Sequence, residues 1–444
     1  MGQALLHRRI MDLAFATRAL RSRNYKLFFA GQSVSLIGTW MTRIATSWLV
    51  YRLTGSAALL GIVGFAGQIP AFVLGPMTGV WLDRWDRHRA IVITQILSMV
   101  QSFALAGLAL AGVITTWEIV ALAFLQGVIN AFDMPARQAF VIEMVERRED
   151  LPNAIALNSS MVNAARLIGP AIAGVVVAGI GEGYCFLIDG ISYIAVIVSL
   201  LMMQISRARR QDRHRHVMHE LAEGWRYVAD SVAIRSILIN LAIVSLFGMP
   251  YSVLMPIFAS RILSGGVHTL GFLMAATGVG ALLGAVTLAV RKNVIGLGRR
   301  ITITTAMFGA ALIGFALSHS LWLSMLILPF AGFGMMQQMA ASNTILQTIV
   351  DDEKRGRVMS FYSMAFQGMA PFGSLVAGSM ASRAGAPVTV LVSGIACMAG
   401  ALWFGWKLPQ IRTIVRPIYV RLGILSEAAL GVHQASTMTE PPEG

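Results

Sequence analysis

Four polar side chains follow one face of a helix that is otherwise apolar. They are spaced at i, i+4, i+7 and i+11 within the stretch 117–143, at Gln126, Asn130, Asp133 and Arg137. This spacing puts all four on the same side of a helix. An aspartate beside an arginine in apolar surroundings can bind and release a proton, because desolvation and the guanidinium charge act on it in opposite directions. The same two residues can also be a fixed ion pair that only locks the helix, and the sequence leaves both interpretations open.

Two further apolar stretches carry polar stripes of the same kind. One lies at 27–52 and contains Gln32, Ser35, Thr39, Thr42, Arg43 and Thr46; the other lies at 153–180 and contains Ser159, Asn163 and Arg166. Charged side chains inside such helices are costly in lipid and often mark substrate or proton pathways. These helix faces are therefore expected to meet water or protein.

A dense charge cluster separates two apolar runs in GPMTGVWLDRWDRHRAIVITQ, residues 75–95. Gly79 permits the close approach of a neighbouring helix, and Asp83 can then face the positive N-terminal end of a helix. Arg87 and Arg89 can pair with acids across the mouth of the protein, and Arg84 belongs to the same basic cluster. These five residues are predicted to form a cytoplasmic gate, with Glu143, Glu146 or Asp351 as acidic partners. The alternative is that the arginines only orient the loop.

The composition places these clusters in a membrane. Hydrophobic residues make up 56% of the 444 residues and charged residues only 13%, against roughly 25% charged in soluble domains. The net charge of +14 comes from short basic patches between apolar runs, without the basic and aromatic face that binds nucleic acid. The sequence has no phosphate loop, HExxH or GxSxG motif and no metal-binding cysteine pattern. We therefore predict no enzyme, no metal site and no cofactor.

The apolar runs divide the chain into twelve spans, because a helix needs about 20 apolar residues to cross a bilayer. The spans are predicted at 27–52, 57–82, 90–113, 117–143, 153–180, 184–204, 234–261, 267–290, 300–319, 321–349, 358–382 and 386–407. Basic residues gather in every second connection, whereas the others hold only Arg52, Arg261 and Arg383. Since basic residues stay in the cytoplasm, both termini are predicted to be cytoplasmic.

The longest polar connection splits the chain into two related halves. A shift of 205 residues places Gly75 and Gly79 on Gly280 and Gly284 and aligns VERRED after span four with VDDEKR after span ten. Duplicated halves around a central site are typical of secondary transporters. The predicted organisation is all-α, with a cytoplasmic segment at 1–26, a six-helix half at 27–204, a cytoplasmic loop at 205–233, a second six-helix half at 234–407 and a cytoplasmic tail at 408–444.

The sequence as a whole resembles the major facilitator superfamily. GVWLDRWDRHR is similar to its signature loop at Gly79, Asp83, Arg84, Arg87 and Arg89, although Asp86 stands where a glycine is usual. ARLIGPAIAG resembles the Gly-Pro motif of proton-coupled drug antiporters at Gly169, Pro170 and Gly174, with Ala165 in place of its first glycine. The chain is also similar to the bacterial branch that contains the enterobactin exporters, which implies a place in a bacterial inner membrane. One residue departs from the antiporter pattern, because Ala123 occupies the place of an arginine in span four.

The resemblance implies a central cavity lined by spans one, four, seven and ten. The residues expected to line it are Gln32, Thr39, Arg43, Gln126, Asn130, Tyr251, Gln338 and Ser342. Spans four and five pack side by side in this superfamily, so Asp133, Arg137 and Arg166 are expected to form a proton-coupling cluster. A cationic, polar first half facing a second half rich in Met, Gln, Ser and Tyr suits an amphipathic substrate with an anionic part.

We therefore predict a monomeric secondary transporter that exports a siderophore, drug or secondary metabolite in exchange for protons by alternating access. An importer or facilitator of a small nutrient has the same fold and stays open as the alternative. A transport-inactive membrane sensor or scaffold is a remote third interpretation, because a sensor normally carries a soluble signalling domain and the segment after the last span is short.

Overall fold

The computed structural model describes residues 17–204, 217–291 and 294–425, and within these ranges the chain is helical with no β-strand. The parts of the predicted cytoplasmic segments at 1–16, 205–216 and 426–444 lie outside the described residues. The described part contains long helices that agree closely with the predicted spans. We call them α1 to α12 in chain order, and they confirm the predicted all-helical membrane fold.

The first half contains α1 to α6. These helices are α1 (Arg23–Thr54), α2 (Ala57–Ala66 continued by Ile69–Arg84), α3 (Arg87–Leu110), α4 (Thr116–Met144), α5 (Leu151–Ile180) and α6 (Glu182–Leu201). Local sequence signals set the boundaries: Gly55 ends α1 in the left-handed conformation, and Thr115 with Glu118 forms a capping box at the start of α4. Asp86, which stands where the signature loop usually has glycine, caps α3 by accepting a hydrogen bond from the Arg89 backbone N–H at 3.1 Å.

The second half contains α7 to α12, two of which are interrupted by π-helical turns. These helices are α7 (Val232–Ile262), α8 (Val267–Ala289), α9 (Leu297–Leu317), α10 (Leu321–Ile349), α11 (Asp352–Ser363 and Ala370–Ala384, joined by a π-turn at Met364–Gly368) and α12 (Ala386–Arg421). Pro250 and Pro256 lie within α7, where a missing N–H interrupts the regular ladder. Such irregular turns are frequent at functional sites.

Ten of the described helices are long and apolar enough to cross a membrane by themselves. The other two of the twelve, α1 and α11, are as long as their neighbours but carry more polar side chains. A polar helix is tolerated in a bundle when its polar face meets protein or a cavity rather than lipid. The polar stripe of α1 does so, as the site below shows.

Two elements extend beyond the predicted spans. Helix α12 continues past position 407 to Arg421, because Leu408, Ile411, Val415 and Tyr419 form one buried stripe that packs against the second half. A separate helix, Val217–Asp230, lies within the predicted 205–233 connection. It packs on the start of α11, where the rings of Trp225 and Phe361 lie 5.9 Å apart.

The cores of the two halves are shared at one end of the bundle and separate at the other. We call the end where α1 begins and α12 ends the terminal end, and the opposite end the far end. One apolar cluster at the far end joins residues of both halves, from Met41 in α1 to Cys397 in α12. At the terminal end each half has its own cluster, around Phe140 in the first half and Phe404 in the second. The halves are therefore packed together at the far end.

Glycine pairs bring the halves into backbone contact at the far end. A Cβ atom added to Gly61 of α2 would lie 2.6 Å from the carbonyl oxygen of Ser374 and 2.9 Å from the Cα atom of Gly378 in α11. A Cβ atom added to Gly174 of α5 would lie 3.3 Å from the Cα atom of Gly271 in α8. Small residues of this kind allow helices to approach closely in a membrane.

Candidate functional site

A cavity of about 320 Å³ lies between the two halves. Residues of α1 to α6 line it from one side and residues of α7, α8, α10 and α11 from the other. Six of the predicted site residues line this cavity, namely Thr39, Arg43, Gln126, Asn130, Arg166 and Tyr251. Its size falls within the usual range of small-molecule sites.

Three residues predicted to line the cavity are packed inside the bundle instead. Gln32 is 2% exposed, Gln338 is 1% exposed and Ser342 is fully buried. Gln32 lies about two turns nearer the terminal end than Thr39, where α1 packs against α6. Gln338 and Ser342 lie one and two turns nearer the terminal end than Met335, which is the α10 residue on the cavity. Helical periodicity gives the direction of a side chain but not its depth in the bundle, so these three residues do not line the cavity in this structure.

Two arginines and a tryptophan form a cationic wall of the cavity. The guanidinium carbon of Arg43 lies 4.8 Å from the centre of the Trp40 ring, and that of Arg166 lies 5.5 Å from the same ring. Arg166 also approaches the Met335 sulfur of the second half at 4.0 Å. The two positive charges repel each other, and among the described residues neither forms an ion pair with an acid.

A second part of the wall consists of neutral polar groups. Gln126 donates hydrogen bonds to Ser98 and to Asn130, both at 3.2 Å. The hydroxyls of Thr39 and Tyr193 lie 3.3 Å apart and join α1 to α6. Much of the remaining surface is apolar and includes Leu60, Val63, Ile119, Met249, Val253 and Met274. The cavity therefore has a charged side, a hydrogen-bonding side and an apolar side.

The Asp133 carboxylate is buried between α3 and α4 and does not line the cavity. Its Oδ1 atom accepts hydrogen bonds from Thr94 at 2.9 Å and Gln95 at 2.8 Å, while its Oδ2 atom pairs with Arg137. The expected cluster with Arg166 does not form, because Arg166 points into the cavity against Trp40. A carboxylate with donors on both oxygens is a satisfied buried ion pair, which favours the locking interpretation.

Asp189 of α6 is a cavity residue that the sequence ranks below Asp133, because it lies near the outer end of span six, where an aspartate can be a satisfied boundary residue. It is 1% exposed and lies at the cavity wall beside Thr42 and Gln101. Its Oδ2 atom accepts hydrogen bonds from Thr42 of α1 at 2.8 Å and Ser102 of α3 at 2.9 Å. The signal available in the sequence was a lone acid within an apolar span, but the donors come from two other helices and only the fold brings them together.

The predicted gate residues lie around the turn between α2 and α3. Gly79, Asp83 and Arg84 belong to the helix Ile69–Arg84, and their side-chain placement lies outside the described part of the structure. Arg87 Nη1 lies 3.0 Å from Glu143 Oε1. Glu143 is one of the three acids expected as partners, but this ion pair joins α3 to α4 within the first half and does not cross between the halves. Arg89 is exposed at the start of α3.

The Gly-Pro motif of α5 packs against both halves. A Cβ atom added to Gly169 would lie 2.5 Å from the Trp40 side chain and 3.0 Å from the Ile37 carbonyl oxygen of α1. The Pro170 carbonyl oxygen lies near Gly271 of α8, and Gly174 meets the same glycine. The motif thus positions Trp40 next to Arg166 and holds α5 against the second half.

The described residues contain no group of three or more His, Cys, Asp and Glu side chains that could hold a metal ion. The described side chains around the cavity offer charge pairing, hydrogen bonding and apolar contact.

Comparison with known proteins gives concordant results. The profile of the transmembrane secretion effector family, MFS_3, matches residues 14–416. The staphyloferrin A transporter of Staphylococcus aureus is 26% identical over 383 residues, which cover 85% of this chain and 95% of that protein. The multidrug efflux pump Tap of Mycolicibacterium fortuitum is 28% identical over 365 residues, which cover 80% of this chain and 88% of that protein. The crystal structure of the nucleoside transporter NupG superimposes with a TM-score of 0.67 at 15% identity. The match covers 88% of this chain and 99% of that one.

Proposed function

This chain belongs to the transmembrane secretion effector family of the major facilitator superfamily, and on that premise we propose that it exports amphipathic small molecules in exchange for protons. The family makes it a secondary transporter of the membrane. The proposed substrates are siderophores, drugs or secondary metabolites, since relatives are a staphyloferrin A transporter and a multidrug efflux pump.

The observation that carries this proposal is the cationic wall formed by Arg43, Trp40 and Arg166. Two guanidinium groups that face one cavity without an acidic partner leave charge that a ligand can neutralise. A substrate with a carboxylate or another anionic group would bind there. The apolar wall around Leu60, Val63 and Met249 would hold its apolar body, which accounts for an amphipathic rather than a purely polar substrate.

Alternating access follows from where the halves meet. The basic connections lie at the terminal end, so we propose that this end is cytoplasmic and that the far end faces outward. With the far end packed shut by Gly61, Gly378, Gly174 and Gly271, the cavity belongs to a state that receives substrate from the cytoplasm. Closure of the terminal end would then bring the gate residues Gly79, Asp83, Arg84, Arg87 and Arg89 towards α11.

Export can be tested in everted membrane vesicles that contain the full-length protein. We expect an inside-acid pH gradient to drive uptake of staphyloferrin A, a macrolide antibiotic or a fluorescent dye into these vesicles, because their interior corresponds to the outside of the cell. Collapse of the gradient with a protonophore should abolish this uptake. Uptake of a nutrient into right-side-out vesicles, without accumulation of any of these probes in everted ones, would support import instead.

A matched variant tests the cationic wall in the same assay. Replacement of Arg166 with methionine keeps an unbranched apolar stem but removes the guanidinium group and its charge. We expect transport of the anionic dye fluorescein to fall by about tenfold or more, in line with the roughly 1.5–3 kcal/mol of a charge-assisted hydrogen bond. Transport of the cationic dye ethidium should change less. Equal losses for both dyes would contradict an anion-binding role.

The orientation has its own test. A single cysteine introduced in the exposed first turn of α9, at Arg299, should react with a membrane-impermeant maleimide in everted vesicles and not in intact cells. A cysteine at Val113, in the connection between α3 and α4, should show the opposite pattern. Labelling of Arg299→Cys from outside intact cells would exclude cytoplasmic termini.

A further inference from the structure

Asp189 is buried in a setting unlike that of any ion pair described above. Both of its hydrogen bonds reach Oδ2, from the hydroxyls of Thr42 and Ser102. Oδ1 is buried and has no hydrogen-bond partner among the described residues. The backbone of α1 lies directly against it, since a Cβ atom added to Gly38 would be 2.7 Å from Oδ1. The Ser192 hydroxyl of the same helix also lies beside this carboxyl. A carboxyl group surrounded by neutral hydroxyls, with no cation paired to it among the described residues, has room for a proton of its own.

No cation neutralises Asp189 from the helices packed around it. On α6 itself the nearest titratable groups are Cys185 and Tyr193, both uncharged in their usual state. On α3 the neighbouring groups are Ser102 and Gln101, and the charged residues of that helix lie in its first turn. Arg43 of α1 and Arg166 of α5 line the same cavity, but Arg43 lies against Trp40, and Arg166 lies against Trp40, Met335 and Tyr251. Among the described residues neither arginine pairs with Asp189. Asp133, by contrast, is paired with Arg137.

We propose that Asp189 is the residue that carries the transported proton, and that Thr42 passes its protonation state to the substrate cavity. The assignment rests on the proposed proton-coupled export. It moves the proton site from Asp133, which is satisfied by three donors, to a carboxyl group that lies at the cavity wall. An acid within a membrane-spanning helix is a proton-relay candidate on general grounds.

The hydrogen bonds give the coupling its direction. An ionised carboxylate only accepts hydrogen bonds, so it takes the hydroxyl hydrogen of Thr42 and leaves the lone pairs of that oxygen to the cavity. A substrate hydroxyl or amine can then donate to Thr42. When a proton binds Asp189, the acid donates to the Thr42 oxygen, and the Thr42 hydrogen turns towards the cavity. A donor group of the substrate then meets another donor and is released.

This reversal makes proton and substrate compete, as exchange requires. A proton that enters from the far end releases the substrate there, and loss of the proton at the terminal end restores the acceptor for the next molecule. The substrate class is thereby narrowed to molecules with a hydrogen-bond donor or cationic group at the Thr42 end and an anionic group at the Arg43 and Arg166 end.

Infrared difference spectroscopy of the purified full-length protein tests the proton site without a substrate. We expect a pH-dependent C=O stretching band of a buried protonated carboxyl in the wild-type protein. The band should disappear in Asp189→Asn and persist in the matched control Asp133→Asn. In Asp189→Glu it should remain at a changed frequency, which guards against a loss caused by misfolding. Persistence of the band in a folded Asp189→Asn protein would overturn the proposal.

A second variant tests the link to the cavity. Thr42→Val keeps the shape of the side chain but removes the hydroxyl, so the Asp189 band should remain and shift in frequency because one hydrogen bond is lost. In everted vesicles this variant should lose the dependence of ethidium transport on the pH gradient. An unshifted band with unchanged coupling would overturn the role of Thr42. An Asp189 band in a protein that exports no probe would instead refute only the proposed export.

Discussion

Replacement of Asp133 with alanine is expected to lower the free energy of unfolding by about 3–5 kcal/mol, the cost of removing one partner from a buried ion pair. The Asp133 side chain is 4% exposed and that of Arg137 is 21% exposed. The substitution would leave the guanidinium of Arg137 without its counterion in the bundle. It would also leave Thr94 and Gln95 without the acceptor that they share.

The measurement is unfolding of the purified protein in detergent micelles, monitored by circular dichroism against increasing denaturant. Asp352→Ala is the matched control, because Asp352 pairs with Arg355 at i,i+3 but its side chain is 86% exposed, and such a pair contributes about 0–1 kcal/mol. The double variant Asp133→Leu with Arg137→Met should recover much of the loss, since it leaves no buried charge unpaired. Equal destabilisation by Asp133→Ala and Asp352→Ala would contradict a locking role.

A second large effect is expected when valine replaces Gly61. Because the added side chain would meet the backbone of Ser374 and Gly378, which cannot move aside as a flexible side chain can, the far end should no longer close fully. Overpacking of this kind costs about 1–3 kcal/mol, and a bias of that size shifts a two-state equilibrium by about 5- to 150-fold. Transport should fall because one of the two alternating states is disfavoured.

The shift can be followed by the distance between spin labels at the far end, on cysteines introduced at Val113 of the first half and His319 of the second. The two native cysteines, Cys185 and Cys397, are buried and would be replaced beforehand. We expect the longer of two label distances to gain population in Gly61→Val. Gly107→Val is the control, because a Cβ atom at Gly107 meets nothing within 4 Å. The same distance distribution in both variants would argue against closure through Gly61.

The interpretation of the polar face on α4 changed once the neighbouring helices were known. Asp133 and Arg137 are four residues apart on one helix, so their contact is local and could be expected from the spacing alone. Whether the pair exchanges protons depended on what else reaches the carboxylate. Thr94 and Gln95 of α3 supply the remaining donors, which favours the locking interpretation and supports our proposal that another acid carries the proton.

The sequence by itself determined the features that depend on neighbours along the chain. The twelve spans follow from the length of each apolar run, the helix ends follow from residues such as Gly55 and Thr115, and the family follows from motifs such as GVWLDRWDRHR. Only the tertiary structure decided which residues meet across helices and at what depth. Arg43 and Arg166 lie against the same ring, that of Trp40, and Asp189 accepts hydrogen bonds from Thr42 and Ser102. Gln338 is buried nearer the terminal end than the cavity. The helical period fixes the direction in which a side chain points, whereas the tilt and packing of the helices fix its depth in the bundle and its partners.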